Sequence, residues 1–216
     1  MSARLDRPYH SPQRDEQANA TRKNILAGAE RLFAEQGFAG VAMQHIAREA
    51  RVSLATVYLY FPGKAAVVGA LADAIVAATD LSVEQVEGEA EAVMQLRLGA
   101  RIICSLNERS WVITDVLRSA RGTDENLARA WDLWQQRHLH AVQRAVQALQ
   151  ARDSLRPGLT PLEATDILYA LAGTEVYRLL VRDRGWVPER YERWLFEVGC
   201  RELLGLSPDA PPVSSP

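Results

Sequence analysis

Between Ala42 and Lys64 the chain runs AMQHIAREA, RVS, LATVYLYFPGK, two short helical runs parted by only three residues. Helices this brief fall below the ~12–15 residues that are even marginally stable alone in water, so neighbouring elements have to hold them. The spacing shows how. Ile46, Ala47 and Ala50 share one side of the first run, and Val57 and Phe61, four apart, share one side of the second. Ser53 is placed to cap the second run. Upstream, Ile25, Ala29, Leu32 and Phe33 recur at helical spacing after Thr21, the expected N-cap, and Gly37 is the expected stop. Downstream, Pro62 is expected in the first turn of a fourth helix running to about Thr79. No strand-like alternation and no internal repeat occurs between the termini, so the fold class is all-α.

With Val57 and Phe61 turned inward, ~100° per residue points Ala55 and Leu59 nearly opposite, Thr56 outward, and Tyr58 and Tyr60 to the two flanks. A small, slightly apolar face edged with hydroxyls fits the DNA major groove, where a thymine methyl takes apolar contact and hydroxyls reach base edges or phosphates. Lys64 is a second sign. A cation in the first turn opposes the helix dipole, costing ~0.3–1 kcal/mol, and a phosphate bound there reverses the cost. Charge agrees in its distribution, not its sum. Residues 19–64 hold six basic and three acidic residues, whereas everything after Lys64 holds 16 basic and 21 acidic, for a net −2 overall.

Residues 21–71, through TRKNILAGAERLFAEQGF, IAREARVS, TVYLYFPGK and AAVVGAL, resemble the DNA-binding domain of the TetR (tetracycline-repressor-like) family. The resemblance implies that the helix around Leu54 to Tyr60 enters the major groove, while the starts of helices one, two and four meet the backbone. Its implied contacts are Arg22, Gln44, Arg51, Ser53, Ala55, Thr56, Tyr58, Leu59, Tyr60 and Lys64. Two positions depart from the family pattern. Ala42 stands where Thr or Ser usually caps the second helix, so a hydroxyl that binds the DNA backbone is missing and Gln44 or the Met43 amide is left to substitute in that contact, and Arg51 stands where the turn favours glycine. A left-handed Arg51 is strained, and pairing with a phosphate is the expected compensation.

Four segments follow: a disordered arm over 1–18, a helix-turn-helix domain over 19–66, an effector-binding and dimerisation domain over 67–206, and a disordered tail over 207–216. In the third, residues 92–107 and 108–122 are expected as helices five and six, with a long seventh helix from Asp124. Leu127, Trp131, Trp134, His138 and Ala145 form a stripe on it. Together with Met94, Trp111 and Glu175 they are candidates to line a cavity for a flat or greasy ligand, with His138 as its polar handle; plain core packing explains the stripe equally. The last two helices meet at a turn holding Gly185 and Pro188. Their apolar residues, among them Leu168, Leu171, Val176, Leu179, Tyr191, Trp194, Leu195 and Val198, cover more than one face, and the resemblance implies a dimeric four-helix bundle there. Two subunits read two half-sites about 34–36 Å apart.

Enzyme signatures are missing. His138 and His140, two apart, point to different sides of a helix and cannot share a metal, and there is no nucleophile elbow, P-loop or dinucleotide fingerprint. No cofactor and no metal are expected. Cys104 and Cys200 lie far apart without ligands at metal spacing, as in a reducing compartment, and the longest apolar stretch is broken by Asp73 and too short for a bilayer. The expected protein is a homodimeric, cytoplasmic repressor that binds an operator in double-stranded DNA and is released by a small apolar or aromatic effector, with no membrane partner. A dimeric scaffold lacking an operator, or an all-α enzyme, are the alternatives.

Overall fold

The computed structural model describes residues 12–206, with backbone only for 12–14 and 76–83. Residues 1–11 of the expected arm and the tail over 207–216 lie outside the described residues. Every regular element among the described residues is helical, and the chain divides into two compact units, 1–71 and 72–216.

The first unit contains α1 (Pro12–Gly40), α2 (Met43–Glu49), α3 (Leu54–Tyr60) and the opening turns of α4 (Lys64–Gly88). Ile25, Ala29, Phe33, Ile46, Val57 and Val67 are its buried side chains. Two expectations fail at helix starts. α1 begins at Pro12, so 12–18 is helix and not disordered arm, and Thr21 is no cap: its hydroxyl donates to Gln17 O from inside the helix at 2.9 Å. Proline suits a first turn, and the polar residues after it include good helix formers, which leave no apolar period to betray the helix. α4 begins at Lys64, leaving Pro62 outside, and Gly63 O accepts from the amides of Ala66 and Val67. Gly37 does interrupt α1, at φ 66° and ψ 174°. Arg31 clasps Glu49 at 2.7 Å and ties α1 to α2. The units divide between Leu71 and Ala72, inside α4, five residues beyond the expected boundary at 66/67.

The second unit packs α5 (Ala92–Ala120), α6 (Glu125–Ala151), α7 (Pro161–Ala172), α8 (Thr174–Tyr177) and α9 (Pro188–Gly199). α8 runs on into a π-helical segment, Arg178–Asp183, and α9 into another, Cys200–Leu204. The caps are sequence-encoded. Asp124 accepts from the amides of Asn126 and Leu127, and Thr160 exchanges bonds with Glu163 across the first turn of α7. The expected helices five and six are one, because Asn107 and Ser110 at the supposed junction are buried along α5, at 4% and 0% exposure.

Most residues expected at a dimer face pack within this chain. Leu168 packs in a cluster with Leu96, Val142, Leu149 and Leu203, and Tyr191 and Leu195 in another with Ala100, Cys104 and Tyr177. Val198 is buried too. Leu171, Val176 and Trp194 are half-buried against the second cluster. The buried ones serve the chain's own core, since α9 points its apolar stripe inward and exposes Arg190 and Arg193. Of the eight, Leu179 alone is well exposed, at 52%.

Candidate nucleic-acid interface and core cavity

α3 shows two opposite faces. Val57 and Phe61 are buried, while Leu59 is 81% and Tyr58 49% exposed. Ser53 and Ala55 are exposed, and Thr56 and Tyr60 are partly so. Ser53 Oγ accepts from the Thr56 amide at 3.0 Å and meets the Thr56 hydroxyl at 2.7 Å, so the two hydroxyls at the helix start hold each other in place. Gln44 lies exposed on α2, and Arg22, exposed on α1, sets its guanidinium 5.5 Å from the centre of the Phe61 ring.

The positions where this chain departs from the usual turn are now specific. Arg51 adopts φ 56°, the left-handed region, and its guanidinium has no hydrogen bond or ion pair among the described residues. Ala42 offers no side-chain cap, but His45 Nδ1 accepts from the Ala42 amide at 3.3 Å. Lys64 is not simply solvated. Its Nζ donates to Phe38 O at 2.5 Å and lies 4.3 Å from the centre of the Phe38 ring, and partial burial lowers its pKa. The ammonium thus satisfies a carbonyl near the end of α1 that no further helical turn would reach.

The second unit encloses a cavity of about 130 Å³. α5 contributes Ile102, Ile103, Leu106 and Asn107, and α6 contributes Trp134, Arg137, His138, Ala141 and Ala145. Leu168 and Leu195, placed by the sequence at a dimer face, line it as well. Four expected lining residues are elsewhere. Met94 is 43% exposed, and Trp131 is buried in the core with Arg121 over its ring. Trp111 and Glu175 sit instead at a small separate cleft with Arg118 and Arg178, Arg182 lying over the Trp111 ring at 4.1 Å. On a helix, Met94 and Trp111 are separated by about 25 Å of rise and cannot share a small cavity.

Polar groups in the wall differ in how they are satisfied. Gln95 Nε2 donates to Ala145 O, and its Oε1 accepts from Arg152, both at 2.8 Å. Arg152 also donates to Glu87 O at 2.8 Å, and Arg144 grips the Glu87 carboxylate. Two α6 arginines therefore clasp the end of α4 beside the cavity, where α4 contributes Val86. Asn107 Nδ2 and His138 Nε2, by contrast, are buried without a hydrogen-bond partner. His138 stacks on Tyr169 with centroids 4.7 Å apart, and burial brings its pKa down to about 4, Glu175 opposing weakly. Gln95 and Asn107 were legible as polar residues on the α5 stripe that also carries Gly99 and Ile103, where any polar group must be buried.

Residues 25–71 match the model of the bacterial regulatory proteins of the tetR family. An uncharacterized helix-turn-helix-type transcriptional regulator of Bacillus subtilis, YdeS, is 30% identical over 184 residues, which are 84% of this chain and 85% of that protein. The chain belongs to the TetR family. As a TetR-family protein it is a DNA-binding transcriptional regulator, not an enzyme. Solved structures share the fold. SmeT in complex with triclosan superimposes with a TM-score of 0.72 at 21% identity, covering 91% of this chain and 99% of that one. NalD, secondary repressor of a multidrug efflux pump in Pseudomonas aeruginosa, gives 0.66 at 27% identity, over 88% of this chain and 98% of its own. No single helix among the described residues is long and apolar enough to cross a membrane.

Proposed function

We propose that this TetR-family regulator is a homodimeric repressor that acts in the cytoplasm, reads a two-fold operator through α3, and is released when a small apolar molecule enters the cavity. The observation that carries the reading is the division of α3: an anchored inner edge at Val57 and Phe61, and an outer face on which Leu59 is 81% exposed. A soluble protein has little reason to leave that leucine in water on a short, well-held helix unless the face has a partner. Leu59 and Ala55 take apolar contacts to bases, and Thr56, Tyr58 and Tyr60 supply hydroxyls to base edges and phosphates. Gln44, Ser53, Arg22, Arg51 and Lys64 hold the backbone. Lys64 leaves Phe38 O to do so.

Effector action is supported by α4. It carries Lys64 at one end, and at the other Val86, in the cavity wall, and Glu87, held by Arg144 and Arg152. A ligand that displaces Val86 acts on the same helix that carries Lys64. Coupling of about 1–3 kcal/mol gives 5–150-fold relief. SmeT in its complex with triclosan makes a compact aromatic effector a reasonable class for this cavity. Dimer contacts fall to what the chain leaves uncovered beside α8 and α9, namely Leu179, Val187 and the half-buried Trp194.

Fluorescence anisotropy tests the reading with a labelled fragment from the promoter beside its own gene and a scrambled control, at two salt concentrations. Tight, sequence-dependent and steeply salt-dependent binding by a species that light scattering sizes as a dimer is expected. Equal binding to both fragments would favour the scaffold reading.

A further inference from the structure

We propose that the cavity selects an uncharged, largely hydrocarbon molecule bearing a hydrogen-bond-accepting oxygen, which Asn107 Nδ2 and His138 Nε2 engage. The inference rests on the reading of this cavity as the effector site and adds the chemistry of its occupant.

Three observations set that chemistry. Most of the lining is aliphatic, and apolar cavities of about 150 Å³ take benzene-sized molecules, so a volume near 130 Å³ suits one small ring or a short branched chain. Within this apolar wall two polar atoms are unmet. Buried donors and acceptors almost always find partners, and those that do not mark a place where something else supplies one. Asn107 is 4% exposed, and its Nδ2 makes no hydrogen bond among the described residues. The neighbouring Tyr191 phenol stays protonated, since burial pushes its pKa up against a weaker opposing pull from the Asn107 amide. An amide nitrogen can only donate, so its missing partner is an acceptor. Gln95 is not available for this work, since both ends of its amide are bonded to Ala145 O and Arg152.

Charge is excluded on both sides. Among the described residues no carboxylate lines the cavity to balance a ligand cation. Arg137, which is part of the lining, is exposed and keeps its charge in water, and burial holds His138 neutral at pH 7, leaving no buried cation for a ligand carboxylate. A neutral imidazole either donates from Nε2 to the same kind of oxygen or accepts from a hydroxyl. Ketones, esters, amides, ethers and alcohols on an apolar body fit; carboxylates and amines do not.

A matched set of probes separates these classes: acetophenone, ethylbenzene, benzoate and benzylammonium, each titrated calorimetrically into the full chain at pH 7 without DNA. Acetophenone is expected to bind most tightly, with the two ions at least about tenfold weaker. Asn107→Leu, close in volume, is expected to weaken acetophenone about tenfold and leave ethylbenzene unchanged, abolishing the preference between them. Should that variant not fold, infrared spectroscopy of acetophenone on the unmodified protein serves instead, and a carbonyl stretch lowered relative to that in hexane is expected. The proposal is overturned by ions that bind as well as the ketone, by an unshifted carbonyl, by an unchanged ketone-to-hydrocarbon ratio in the variant, or by no binding from any probe. Operator release is measured separately. If acetophenone binds through Asn107 but leaves the operator complex intact, the cavity chemistry stands and the effector reading falls.

Discussion

Arg51 offers a test in which stability and DNA binding move in opposite directions. At φ 56° its left-handed backbone carries a penalty of about 1–2 kcal/mol for a residue with a Cβ. Arg51→Gly removes that strain but adds about 0.5–1 kcal/mol of unfolded-state freedom, so the net gain is about 0.7 kcal/mol, or roughly 1.5–3 °C in Tm. The exposed guanidinium has no partner among the described residues, and if it holds one phosphate per subunit, its loss lowers the log–log salt slope by about 0.9 per site, or about 1.8 for a dimer. Over a fourfold rise in salt, from about 50 to about 200 mM, the affinity advantage of the parent over the variant should then shrink about tenfold. Thermal melts and anisotropy titrations on the operator fragment measure the two effects. A more stable variant with the parent's affinity and salt slope refutes the phosphate contact; a variant that melts lower refutes the strain argument.

Three further outcomes are expected. Leu59→Glu places a carboxylate at an 81% exposed position, so stability should change by less than about 0.5 kcal/mol while operator affinity in the anisotropy titration falls at least about a hundredfold; near-parental binding would remove Leu59 from the groove. Arg152→Ala strips the partner from Gln95 Oε1 and Glu87 O and should cost about 1–3 kcal/mol in urea denaturation, whereas a cost near zero would mean water replaces the clasp. His138 titrates near 6.5 unfolded but about 4 folded, so the unfolded chain takes the proton first and stability is lost as pH falls from about 6.5 toward 4. The full loss approaches about 3 kcal/mol, and in urea melts between pH 6.5 and 5 His138→Gln should flatten the slope by about 1 kcal/mol per pH unit; an equal slope in both proteins contradicts a buried neutral imidazole.

The outward face of α3 was legible because two residues, Val57 and Phe61, fix the rotation of a short helix, and every other side chain follows from 100° steps. The start of α1 was not, because the sequence from Pro12 to Asn24 is mostly polar and carries no apolar rhythm to extend back from Ile25. The supposed break in α5 came from Asn107 and Ser110, polar residues that imitate a loop in sequence but are buried in the fold. At the cavity, a stripe on one helix identified Trp134 and His138, but which residues of other helices faced them depended on packing that spacing cannot encode. Hence Met94 and Trp111 were assigned to a cavity from which they are absent, and Asn107 was passed over. Leu168, Tyr191 and Leu195 show a related limit, for an apolar stripe looks the same whether its partner is the same chain or a second copy.

The two π-helical segments, Arg178–Asp183 and Cys200–Leu204, each enclose more residues per turn than the α-helix leading into them. Deleting a single residue from such a segment can tighten it to ordinary α geometry while the elements on either side keep their places. Elsewhere in these helices a deletion rotates everything beyond it by about 100° and turns a core side chain outward. Evolutionary gain and loss of single codons should therefore cluster at these two wide turns, and alignments of homologous genes should show their gaps there first.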